Sequence, residues 1–191
     1  MPAKTTPRLD PRQPFVLDVR ELGRRPGSMR AVRRGIPAPA DLGVELARVP
    51  AGAPVELDLR LESVVEGVLV SGTVTAPVTG ECARCLGPVS DTVTVDLREL
   101  FAYADSATAE TTDSDEVSHL AGDLLDLEPV VRDAVVLALP LSPLCRQDCR
   151  GLCPGCGAAL DELPDDHTHA TTDPRWAALA ERFGRSTDSQ E

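Results

Sequence analysis

From Val55 the chain alternates, with Val55, Leu57, Leu59 and Leu61 on one parity and Glu56, Asp58, Arg60 and Glu62 on the other. A period of two turns one face to a core and the other to water, which predicts a half-buried strand. A second extended stretch follows, with Val68, Val70, Thr73 and Val74 as its strand residues; Gly72 inside it marks a candidate bulge. A third has Val93, Val95, Leu97 and Leu100 as its inward face. Three such segments with short connections predict an antiparallel meander. A short apolar run, Phe15 to Val19, adds a further strand candidate.

The period then changes. In DLLDLEPVVRDAVVLALP, Val130, Ala134, Leu137 and Ala138 recur at helical spacing, and Val131 and Val135 widen the stripe. Pro129 suits a first helical turn, the acids before it favour the positive end of the dipole, and Pro140 stops the helix. A helix this apolar is expected to lie on the sheet, so the predicted class is α+β. Near the end, Asp173 as N-cap, Pro174 at the first position and Trp176, Leu179, Ala180 and Phe183 on one face predict another helix.

Between these elements the pattern fades. Residues 1–13 hold three prolines and no periodicity, and read as a disordered start. RRPGSMRAVRRG reads as a loop or mobile arm, and Pro37, Pro39, Pro50 and Pro54 break any long element after it. Residues 104–122 are acidic and Ser/Thr-rich and read as a mobile loop, with His119 a solvated side chain within it. The expected organisation is a basic, partly disordered arm over 1–34 and an α+β body over 35–140. A Cys-rich module with the C-terminal helix follows over 141–183, and a disordered tail over 184–191.

Charge changes the picture by its distribution. The chain of 191 residues carries a net charge of −12. Residues 1–34 hold Lys4 and eight arginines against Asp10, Asp18 and Glu21, a net +6, so the rest carries −18. An acidic body argues against indiscriminate binding to nucleic acid or anionic membrane, while a basic arm is a candidate phosphate contact through Arg24, Arg25, Arg30, Arg33 and Arg34. One Trp, one Tyr and three Phe are too few for the base-stacking platforms of aromatic-rich RNA modules. The first twenty residues lack the apolar core of a signal peptide, and no run reaches the ~18–20 apolar residues that span a bilayer. The expected compartment is the cytoplasm, where thiols stay reduced.

That compartment gives the six cysteines their meaning. Cys82 and Cys85 form a Cys-x-x-Cys pair, and Cys145, Cys149, Cys153 and Cys156 fall within twelve residues. Zinc takes four thiolate or imidazole ligands in a tetrahedron, usually supplied as spaced pairs. In Cys153-Pro154-Gly155-Cys156-Gly157, proline stiffens the turn and Gly157 permits a positive φ; Cys82–Cys85 has the same spacing and a Gly87-Pro88 exit. His167 and His169 follow closely enough to complete a site begun by Cys153 and Cys156. Eight candidate ligands are formally enough for two ions, but one structural site using four of them is the expectation.

Two other chemistries fit the spacing and fail on context. Cys149-x-x-x-Cys153-x-x-Cys156 matches the iron–sulfur spacing of radical S-adenosylmethionine enzymes, but too little chain follows to build their barrel. A thiol–disulfide oxidoreductase places its Cys-x-x-Cys at a helix start in a βαβ frame, which neither pair has. Buried small hydrophobes are a fair alternative for Cys145 after Leu144, less so for Cys153 and Cys156 beside Pro and Gly. The sequence holds no P-loop, nucleotide-binding glycine fingerprint or nucleophile elbow. A four-ligand zinc site leaves no open position for a reacting water. The expectation is a protein that is not an enzyme, with no small-molecule substrate.

The succession ECARCL, a strand, DLLDLEPVVRDAVVLALPLSPLC, CRGLCPGCGAAL and DPRWAAL resembles the YceD family, whose members are described as large ribosomal RNA subunit accumulation proteins. The likeness spans roughly Val55 to Phe183. Carried onto this chain, the family pattern marks Cys82, Cys85, Cys145, Cys149, Cys153 and Cys156. Many relatives have Cys-x-Cys where His167 and His169 stand here, a swap that keeps metal-binding capacity. The resemblance implies a role in accumulation of large-subunit (23S) ribosomal RNA or its precursor. The partner would be that RNA, or, in an alternative adaptor role, a basic ribosomal protein or assembly factor held by the acidic body.

Overall fold

The computed structural model describes residues 9–112, 117–169, 174–176 and 179. The chain divides into two compact units, one of Met1–Ala83 with Gly87–Cys145, the other of Arg84–Leu86 with Arg146–Glu191. The first is an α+β unit around a mixed sheet. Three antiparallel strands form its centre: β4 (Pro54–Ser63), β5 (Gly67–Glu81) and β6 (Pro88–Ala102), in the predicted meander. The remaining strands are β1 (Val16–Asp18), β2 (Met29–Pro37), β3 (Ala47–Arg48), β7 (Ser118–His119) and β8 (Leu124–Asp126). β2 pairs antiparallel with β4, β3 pairs with the far end of β5, and β7 pairs parallel to β6. β1 and β8 make a separate two-stranded ladder.

The register explains the alternation. Val32 faces Leu59, Leu59 faces Gly72, and Gly72 faces Leu97, so one row of the inner face crosses four strands. Leu61–Val70 and Leu57–Val74 form neighbouring rows. Helix α2 (Glu128–Ala138) packs on β6, and Val131 and Val135 join Phe15, Leu17, Leu125 and Leu127 in one core with the inner face. Asp126, the last residue of β8, lies two positions before the helix, and its carboxylate accepts from the Glu128 amide at 2.9 Å. Arg132 pairs with Glu128 one turn back and donates to the carbonyls of Asp41 and Ala40.

Several expectations are corrected. The arginine-rich stretch is not a loop throughout, because Met29–Pro37 is a nine-residue strand; pairing to β4 satisfies the backbone groups on that side, and Val32 and Ile36 supply a buried face. Gly72 marks no bulge, since β4 and β5 pair without interruption from Glu56–Thr75 to Ser63–Val68. Glycine is needed there because φ is +147° and a Cβ would drive into the Asp58 carbonyl. Leu100 is not on the inward face: stepping by two from Leu97 reaches Glu99 and then Phe101, which is buried. Leu137 and Ala138 point outward, leaving Val131 and Val135 as the centre of the helix stripe.

The acidic segment 104–122 is not a loop throughout. Ser106 caps a short helix, α1 (Ala107–Thr111), by accepting from the Ala109 amide, and Ser118–His119 forms β7. His119 is not solvated: it is half-buried, and its Nε2 is buried without a hydrogen-bond partner among the described residues. Of the C-terminal helix residues, Asp173, Ala180 and Phe183 lie outside the described residues. Pro174–Trp176 is a single 3-10 turn, and Trp176 and Leu179 are exposed. Among the described residues no helix is long and apolar enough to cross a membrane.

Candidate metal centre

Each Cys-x-x-Cys pair sits in a turn of the same main-chain design. In the first, at the tip of the β5–β6 hairpin, the Cys82 amide donates to the Gly87 carbonyl at 2.8 Å. In the second, the Cys153 amide donates to the Ala158 carbonyl at 2.8 Å, again five residues on. The residue after the second cysteine takes a left-handed conformation in both: Leu86 with φ +59° and Gly157 with φ +73°. The expected exit at Gly87-Pro88 is therefore displaced by one position onto a leucine. Such turns curl the chain so that both sulfurs point the same way, as paired zinc ligands require.

The structure gathers all eight predicted ligands into two groups of four, where one site had been expected. Cys82, Cys85, Cys145 and Cys149 form one; Cys153, Cys156, His167 and His169 form the other. Within each, one ligand atom per residue lies within 4.8 Å of the others. Zn–S bonds of about 2.3 Å set tetrahedral S···S edges of about 3.8 Å, so both groups are compact enough to close on an ion with small side-chain adjustments. Either group can coordinate a metal ion, and each supplies a complete set of four donors.

In the first group Cys82 and Cys149 are buried, Cys85 is half-buried and Cys145 exposed. The Ala83 amide donates to the Pro143 carbonyl at 2.8 Å, fixing the approach of the chain toward Cys145. Arg84, the third residue of the turn, donates to the Cys149 carbonyl at 2.9 Å and reaches the Gln147 carbonyl at 3.4 Å. It orders the loop that presents Cys149. Nothing local in the sequence marks Arg84, an arginine inside Cys-x-x-Cys, as anything but a spacer.

The second group belongs to the smaller unit. An isolated bridge between Leu152 and Ala159 flanks the turn, and the Leu160 amide donates to the Gly151 carbonyl at 2.8 Å. Arg150 pairs with Asp165 at 3.1 Å, and Arg146 pairs with Asp161, tying the returning segment that carries the histidines. Cys153 is buried, Cys156 and His169 are exposed, and His167 is half-buried. The amide of Gly155 donates to the Cys153 sulfur and holds that thiol below its ordinary value; burial opposes this, and the amide and thiol of Cys156 assist. The effect favours the thiolate, the form that binds metal. His167 Nε2 lies 3.6 Å from Cys156 Sγ, and the two imidazoles meet edge to face with centroids 4.6 Å apart. A Cβ on Gly155 would stand 2.5 Å from His169 Cδ2, so a larger residue there would displace that ring from its place over the turn.

The five arginines of the candidate nucleic-acid contact have unequal surroundings. Arg24 pairs with Asp105 at 3.1 Å and stacks over the Tyr103 ring at 4.4 Å. Arg30 donates to the Asp18 carbonyl and pairs with Glu21, and Arg33 pairs with Asp58 across the β2–β4 ladder. Arg25 and Arg34 are exposed.

An uncharacterized protein of Mycobacterium tuberculosis is 53% identical over 176 residues, covering 92% of this chain and 84% of that protein. An uncharacterized protein of Mycobacterium leprae is 49% identical over 168 residues, 88% of this chain and 77% of that protein. The uncharacterized protein YlbN of Bacillus subtilis is 23% identical over 133 residues, 69% of this chain and 73% of that protein. No solved structure matches. Residues 70–181, which include all eight candidate ligands, match the family described as large ribosomal RNA subunit accumulation protein YceD, and the chain belongs to that family.

Proposed function

We propose that this protein is a non-catalytic, cytoplasmic factor that supports accumulation of large-subunit ribosomal RNA and contains structural zinc. The family match over residues 70–181 carries the first part of this reading, and the Cys/His groups support the second. A complete set of four protein donors suits an ion that holds the chain rather than one that activates water.

The proposed RNA contact runs through Arg24, Arg25, Arg30, Arg33 and Arg34. Arg25 and Arg34 are exposed, and the ion pairs of Arg24 and Arg33 lie at the surface, where a pair contributes only about 0–1 kcal/mol and can be exchanged for a phosphate. Removing residues 1–34 is a poor test, because it would delete most of β2 and uncover the core row at Leu59. Replacing the five arginines with glutamine leaves the strand in place. If they bind phosphates, affinity for large-subunit precursor RNA should fall steeply with salt, with a log–log slope of about −0.7 per phosphate contacted on single strands. The substituted protein should lose most of that slope. Unchanged affinity and slope in the substituted protein would rule out the arginine contact.

A second reading is favoured by one observation: Arg24, Arg30 and Arg33 are already matched to acids within the chain, which leaves the acidic surface in excess. In that role the protein is an adaptor that holds a basic ribosomal protein or assembly factor. Salt-sensitive capture of purified basic large-subunit proteins, with no RNA binding, would select it.

A further inference from the structure

We propose that the chain binds two zinc ions at two chemically different sites. Cys82, Cys85, Cys145 and Cys149 form a tetrathiolate site, and Cys153, Cys156, His167 and His169 form a two-thiolate, two-imidazole site that exchanges its metal more readily. The inference rests on the structural-zinc reading above and adds the number, ligand sets and unequal exchange of the ions.

Partition of the donors is the first support. Eight donors divide into two sets with no member shared, and each set alone fills a tetrahedron. A single shared ion would bring the two Cys-x-x-Cys turns face to face; here each turn is completed by a different pair, Cys145 with Cys149 or His167 with His169.

Geometry at the second set is the next. Zn–S of about 2.3 Å and Zn–N of about 2.0–2.1 Å give a tetrahedral S···N edge of about 3.6 Å. The Cys156 Sγ to His167 Nε2 separation is 3.6 Å, the edge expected of two ligands on one ion. Gly155 leaves the space that the His169 ring occupies beside the turn.

Unequal exchange follows from exposure and charge. Two of the four ligands at the tetrathiolate site are buried, whereas only Cys153 is buried at the mixed site. Four thiolates around Zn²⁺ leave a net charge of −2, which strengthens retention; two thiolates and two neutral imidazoles leave none. A chelator therefore reaches and competes for the mixed site first.

The test uses the full chain purified under reducing conditions. Elemental analysis should give two zinc ions per chain, and a chromogenic chelator should withdraw one quickly, the other only after thiol modification. The double variant His167→Ala/His169→Ala should retain one zinc and lose the fast phase, with circular dichroism of the sheet unchanged. Cobalt substitution gives an independent readout: loss of the mixed site removes two of six thiolate ligands, so thiolate-to-cobalt charge-transfer absorbance should fall by about one third. One zinc in the parent chain, retained by the double variant, would overturn the mixed site while leaving the structural-zinc reading intact. Absence of zinc from the parent chain would overturn both.

Discussion

The turn at Cys82–Cys85 and the turn at Cys153–Cys156 close with the same main-chain bond and the same left-handed residue, yet leucine fills that position in one and glycine in the other. A non-glycine residue in that conformation costs about 1–2 kcal/mol. The first turn tolerates the cost because it caps a hairpin whose strands stay in register from Gly67–Ala102 to Glu81–Pro88. Fifteen paired positions on each strand dictate where the chain must reverse. The second turn is flanked by one bridge, Leu152–Ala159, so its geometry depends on residues that adopt it without strain. The same metal-binding turn is thus imposed by the sheet in one place and encoded locally in the other.

Cys82→Ser should have the largest effect. Cys82 is fully buried at the end of β5, and losing a structural ligand belongs among the substitutions that cost more than about 4 kcal/mol. Urea unfolding should show that loss together with a drop in bound zinc. Gly72→Ala comes next and separates the sheet from the metal. The positive φ alone should cost about 1–3 kcal/mol and the close Asp58 carbonyl adds to it, while zinc content per folded chain stays unchanged. A fall in zinc content in that variant would break the separation.

The smallest effects come from exchanging the left-handed residues. Gly157→Leu should destabilise the second turn by about 1–2 kcal/mol and speed release of its metal. Leu86→Gly should change stability by less than about 1 kcal/mol, because relief of strain is offset by the greater freedom of glycine in the unfolded chain. Chelator kinetics and thermal melts measure both. Equal responses at the two turns would show that the sheet does not support the first.

Patterns whose cause is local were legible in the chain. The alternation from Val55 to Leu61 and the Val131/Val135 stripe are consequences of strand and helix periods, and both face the core. Gly157 likewise carries its own conformation. The eight candidate ligands were nameable from residue type and spacing, since few other side chains bind zinc. Short spacing also suggested His167 and His169 as partners of Cys153 and Cys156; that Cys145 and Cys149 meet Cys82 and Cys85 was not legible, because spacing along a chain does not say which distant pair completes a tetrahedron.

The rest required the fold. An arginine-rich stretch reads as a loop until β4 offers it a ladder of backbone partners and a core for Val32 and Ile36. Phe101 displaced Leu100 from the inner face because parity is set by register over the whole strand. Arg84 acquired its role only when folding brought the Cys149 carbonyl within reach. The sequence alone determined which residues could serve as ligands and which periods each segment would adopt. Tertiary structure decided which ligands meet and which arginines are already paired with acids, because both depend on contacts between residues far apart in the chain.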